Sequence, residues 1–241
     1  MATPVPLVFS SIDYTLIAVA FALGLALWAW FPRARHTIES GVPGARMRLY
    51  TTIMCTSWAI AVAVLASWNW QGRSLSALGL GVGSPARMAG GFAILAAYLV
   101  LALLQRRAIL ARPELLKVVL AKLGSADAMF PRTQSERTAW IGISITAGIT
   151  EEIFSRGFML SFFSAIGGLT FGVIASSIVF GLDHAYLGWR HIIKSAIAGG
   201  VLAVVVVISG SLWPAILLHT AVDMMAGDLG SRAANYVPAA A

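Results

Sequence analysis

The sequence predicts an all-α protein: a polytopic transmembrane bundle of about seven helices with a short amphipathic helix on its cytoplasmic side. Three observations carry this. Of 241 residues, 59% are hydrophobic and only 11% charged, where a water-soluble domain carries about 25% charged residues. Apolar runs near the roughly 20 residues that cross a hydrocarbon core recur along the whole chain. The basic residues gather in alternate gaps between those runs, as they do when cytoplasmic loops retain Lys and Arg.

The expected spans are 8–31, 49–68, 88–105, 138–163, 168–187, 191–209 and 212–229, a count good to one because some merge with a neighbour. Trp28, Trp30, Trp68, Trp70 and Trp140 fall near their ends, where an aromatic belt is expected. Fourteen Lys and Arg lie on one side, among them Arg33, Arg46, Arg106, Lys117 and Arg132. Two, Arg73 and Arg87, lie on the other. This places the N-terminus outside and the C-terminus in the cytoplasm, in the cell (inner) membrane. Retained basic loops account for the pI near 10.2 without a nucleic-acid partner. No charged stretch precedes the first apolar run, so no cleavable signal is expected. The resulting organisation is N-terminal spans at 1–105, a basic loop at 106–137, a transmembrane helix core at 138–229 and a tail at 230–241.

Inside the basic loop, after Pro113, Leu115, Leu116, Val119, Leu120 and Leu123 share one helical face, with Glu114, Lys117 and Ala121 on another. This reads either as a helix lying on the cytoplasmic leaflet or as an extra turn of the third span. Thr133 and Glu136 have the spacing of a capping box at the start of the fourth. The single cysteine, Cys55, excludes an internal disulfide and a multi-cysteine zinc site, and is expected to pack as a small apolar residue.

Charges inside the spans need a reason, since each costs about 2.5–3.5 kcal/mol even on lenient insertion scales. The fourth span holds Glu151, Glu152 and Arg156. Glu152 and Arg156 are four apart with the acid first, the favourable order for an ion pair. Glu151 points about 100° away from Glu152, so it reads as a free carboxylate and the other two as a brace. The fifth span ends with Asp183 and His184. The seventh carries His219 and Asp223, again four apart on one face. Asp183 lies on a different face from His184 and is expected to support the site or sit at the interface. His36 and His191 are expected to be solvated.

A carboxylate beside an imidazole can deprotonate a water and return the proton to a leaving amine. A second imidazole and the side chain at 223 can polarise a carbonyl oxygen as it gains charge. Together these residues describe peptide-bond hydrolysis without a covalent intermediate. No Gly-x-Ser-x-Gly motif is present and Cys55 has no evident partner, which disfavours a nucleophilic mechanism. The same residues also permit a zinc site of His184, His219 and a carboxylate with Glu151 as base. Straight spans spread Glu151, His184 and His219 over a depth of about 14 Å. The site closes only if helices break or tilt, with Gly157, Gly181, Gly210 and Pro214 as the candidate places.

The motifs Glu-Glu-x-x-x-Arg at 151–156, Phe-x-x-x-His at 180–184 and His-x-x-x-Asp at 219–223 occur in that order on apolar helices. In this the chain resembles the CAAX protease and bacteriocin-processing family, also called Abi, which includes the type II CAAX prenyl endopeptidases. The resemblance spans about 130–228. It implies a helical bundle with a catalytic cavity recessed in the bilayer and no cofactor. By it, Glu151 and His184 activate a water and His219 with position 223 forms the oxyanion site, acting on a membrane-associated protein or peptide. The chain departs from the CAAX-processing members at Asp223, where they carry Asn. An ionised Asp cannot donate to an oxyanion, though it can orient His219. Two other readings stay open: an inactive relative serving as scaffold or in bacteriocin immunity, and a proton-coupled transporter.

Overall fold

A computed structural model describes residues 7–112 and 114–236. Pro113 and the end of the tail, 237–241, lie outside the described residues. Eight α-helices follow in order, with no strand among the described residues. They are α1 (Ser11–Glu39), α2 (Ala45–Trp70), α3 (Pro85–Leu110), α4 (Leu115–Leu123), α5 (Gln134–Glu152), α6 (Leu160–Asp183), α7 (Trp189–Ser209) and α8 (Trp213–Ala234).

The surface is inverted relative to a water-soluble protein. Large apolar side chains such as Leu25, Leu101, Ile174, Ile197 and Val204 point outward along the helices, while Glu152, Arg156 and His219 are buried inside. That arrangement suits hydrocarbon as the solvent. Among the described residues five helical stretches are long and apolar enough to cross a membrane, against seven expected spans, and two features account for the difference. The stretch Gln134–Asp183 holds two of the expected spans joined without an intervening loop and counts once. Yet it reverses at Gly168, whose φ of 80° and ψ of 172° are not helical. Phe163 and Phe171 meet across the reversal with ring centroids 6.0 Å apart. α8, the other expected span, is too polar to count, since it carries His219, Asp223, Asp228 and Arg232.

Thr133 caps α5 as its spacing predicts. Its hydroxyl accepts from the Glu136 amide at 3.2 Å, and the Glu136 carboxylate accepts from the Thr133 amide at 3.1 Å. Glu136 also holds Arg46 of α2 at 2.9 Å, tying the two helices together. α4 is a helix of its own and not an extension of α3, which ends at Leu110. Only Leu116 of α4 is buried, and Lys117, Val118 and Lys122 remain exposed.

The belt expectation needs correction for two tryptophans. Trp68 is fully buried, with its indole N–H donating to the Ser74 carbonyl at 2.8 Å. Trp140 donates to the Asp223 carbonyl at 2.9 Å. Each indole N–H donates to a backbone oxygen of the protein itself. Trp28 and Trp70 are exposed. Two smaller expectations also change. Cys55 faces outward from α2, and His191 is partly buried with Nε2 3.3 Å from the Leu123 carbonyl.

The turn between α7 and α8 is sunk into the bundle: Ser209, Ser211 and Leu212 have no exposure. Irregular backbone at such depth has to find its hydrogen bonds in protein. The connection from α2 to α3 supplies them. Leu212 N–H donates to the Gly79 carbonyl at 2.8 Å, the Ser211 hydroxyl to Gly81 at 2.7 Å and the Trp213 indole to Leu80 at 3.1 Å. Arg87 reaches over to cap α7, donating to the carbonyls of Val207 at 2.6 Å and Ile208 at 3.0 Å.

Candidate active site

The Glu-Glu pair stands where α5 stops being α-helical. Ile153–Met159 is a π-helical segment, the kind of bulge that marks functional sites in many helices. Gly157 lies within it and gives room to the α2–α3 connection, because a Cβ there would stand 2.9 Å from the Leu78 carbonyl. The break thus falls at one of the glycines singled out from the sequence.

Gly168 resolves much of the depth problem. Glu152 and His184 are each sixteen residues from it, about 24 Å of helix in either direction. The returning arm of α6 therefore brings His184 back to the level of the carboxylates. The sunken α7–α8 turn does the same for His219, which lies less than two turns into α8. Close approach of α8 to α5 depends on Gly148, whose Cβ, if present, would stand 2.1 Å from Thr220 Oγ1 and 2.9 Å from the Ile216 carbonyl.

Glu152 is the centre of the buried polar cluster. Its Oε1 accepts from Arg156 Nη1 at 2.8 Å and lies 2.8 Å from His219 Nδ1. All three side chains are buried. Sequence spacing anticipated the first contact and missed the second, which crosses between helices. The guanidinium of Arg156 also lies 4.0 Å above the Phe180 ring, which meets the imidazole of His219 in a T-shaped pair with centroids 5.8 Å apart. On α7, Gly199 leaves room for that guanidinium, as a Cβ there would stand 3.1 Å from Arg156 Nη2.

On its other side His219 faces two carboxylates. Its Nε2 is 3.9 Å from Glu151 Oε2 and 3.7 Å from Asp223 Oδ2. These separations exceed a hydrogen bond, yet a water about 2.8 Å from both members of either pair fits between them. Glu151 and Asp223 are both partly exposed, with side chains 29% and 31% accessible.

His184 follows the last residue of α6. Its Nδ1 is 2.8 Å from the Phe180 carbonyl. A carbonyl only accepts, so Nδ1 carries a proton, and in the neutral ring Nε2 keeps its lone pair. The ring packs against Phe180 and stacks on Tyr186 at 6.3 Å. Among the described residues no carboxylate stands within ion-pair reach of His184, so its pairing with Glu151 consists of lining one cavity together. That cavity, of about 490 Å³, lies between α1, α2, α5 and α6 and is walled by apolar side chains such as Phe21, Leu27, Ile53 and Phe154. His219 and Asp223 do not line it; they approach the same Glu151 carboxylate from α8. Among the described residues no group of three or more His, Cys, Asp or Glu side chains is arranged to hold a metal ion.

Residues 133–225 match the family model described as type II CAAX prenyl endopeptidase Rce1-like. The match contains all three motifs and every member of the cluster just described, and supports at the family level an intramembrane protease of CAAX type. Searches among curated proteins and among solved structures gave no significant match.

Proposed function

We propose that this chain, which through residues 133–225 belongs to the CAAX protease and bacteriocin-processing family, hydrolyses a peptide bond of a membrane-associated protein or peptide with a water activated by Glu151. The observation that carries the reading is the division of labour between adjacent carboxylates. Glu152 is consumed by Arg156 and His219, while Glu151 is partly exposed, lines a cavity and has His219 Nε2 3.9 Å away.

The reaction begins with a water held between Glu151 and an imidazole nitrogen. Glu151 takes its proton as the oxygen attacks the carbonyl carbon. The carbonyl oxygen gains negative charge and receives a hydrogen bond from Nε2–H of His219 in its imidazolium form. Glu152 accepts from Nδ1–H and fixes the ring's orientation, and Asp223 steadies the charged ring from 3.7 Å. His184, whose Nε2 is an acceptor, orients the attacking water. Glu151 then passes the proton to the leaving amine as the C–N bond breaks. The apolar cavity takes a hydrophobic portion of the substrate. The basic end of the bundle is assigned to the cytoplasm of a cell membrane.

Cleavage of short peptides with hydrophobic or lipidated ends, by purified protein in liposomes, tests this. Turnover that persists with a strong zinc chelator and is lost in Glu151→Gln and His184→Ala supports the mechanism. Turnover abolished by the chelator and restored by zinc would replace it with a metal mechanism.

A further inference from the structure

The cavity contains a carboxylate that the reaction does not use. Asp183 ends α6 and lines the same wall as Glu151, His184 and Tyr186. Among the described residues it takes part in no ion pair within 4.0 Å. The guanidinium of Arg156 is held by Glu152 at 2.8 Å. Neither Lys nor Arg contributes to the lining, which is otherwise mostly aliphatic and aromatic. Across from Asp183, α1 carries Gly24, where a Cβ would make ordinary contact with Oδ1 at 3.7 Å.

An unpaired carboxylate against an apolar wall is costly to leave ionised. A ligand that brings a cation recovers that cost through a charge-assisted hydrogen bond. Glu151 on the same wall adds negative potential, so an anionic or neutral group gains nothing comparable. We propose that Asp183 is a specificity residue. It binds a cationic group of the substrate, a Lys or Arg side chain or a free amine, close to the scissile bond. This rests on the protease reading above, because Asp183 directly precedes His184 and both face the cavity that holds the substrate.

The test uses the full chain in nanodiscs with fluorescent, membrane-anchored peptides. A single Lys is scanned through the peptide, and each member is paired with one carrying norleucine at that position. Binding is measured to Glu151→Gln, which does not consume the probe, and to Glu151→Gln/Asp183→Asn. At one or two positions the Lys peptide is expected to bind about tenfold tighter than its norleucine partner, the size of one charge-assisted hydrogen bond. The double variant, confirmed as folded by an unchanged thermal midpoint, is expected to lose the difference. Equal affinities at every position, no binding of any peptide, or a Lys preference that survives in the double variant would overturn the assignment. Cleavage by the wild-type chain is followed in parallel. A Lys preference in binding without any cleavage would count against the protease reading while upholding Asp183 as the cation site.

Discussion

Nδ1 of His219 lies 2.8 Å from Oε1 of Glu152, and the same oxygen takes Arg156 Nη1 at 2.8 Å. One buried carboxylate therefore joins α5 to α8 and fixes which nitrogen of His219 faces Glu151. Removing it leaves an arginine buried and unpaired. Glu152→Ala is expected to destabilise the protein by about 3–5 kcal/mol, seen as a lower thermal midpoint in detergent. Replacing both members, Glu152→Gln with Arg156→Met, is expected to recover much of that stability without recovering turnover.

Glu151→Gln should behave in the opposite way. The Glu151 carboxylate is partly exposed and its nearest ionic neighbour is 3.9 Å distant, so little stability depends on it. Turnover is expected to fall by about 10²–10⁴-fold, the range for loss of a positioned base, with the melting curve unchanged. A drop in both would reassign Glu151 to the structural cluster.

Asp223 separates two versions of the oxyanion site. At 3.7 Å from His219 Nε2 it can orient an imidazolium without touching the oxyanion. Asp223→Asn supplies an amide donor and is expected to keep turnover within about threefold of wild type. Asp223→Ala removes both functions and is expected to lose about 10-fold or more, since one oxyanion donor is worth roughly 10²–10³ where it acts directly. Equal loss in the two variants would show that the negative charge itself is required.

Gly148 makes the α5–α8 contact possible. Gly148→Ala is expected to abolish turnover and lower the thermal midpoint, because the new methyl group falls on Thr220. Gly148→Ala with Thr220→Ala is expected to restore part of both, with the Ile216 carbonyl limiting the recovery. Failure of the second substitution to help would move the constraint to the backbone alone.

Much of this molecule was legible in local patterns. The apolar runs required helices in a bilayer, because only a helix satisfies its own backbone there. Four-residue spacing placed Arg156 on Glu152 and Asp223 beside His219. The Thr133 and Glu136 pair marked the start of α5, since a cap needs nothing beyond its own turn. The order of three motifs pointed to the family before any coordinates.

Tertiary structure decided which of these side chains meet. Helical periodicity gives a direction around an axis and says nothing about where a helix starts in depth. The reversal at Gly168 and the sunken α7–α8 turn under the α2–α3 connection set that depth; hydropathy located both breaks along the chain but not how deep they lie. The join of Glu152 to His219 requires two backbones to approach at Gly148, and the Trp140 indole finds its acceptor at the Asp223 carbonyl of another helix. Contacts of this kind belong to pairs of elements far apart in sequence, so no single stretch of residues encodes them.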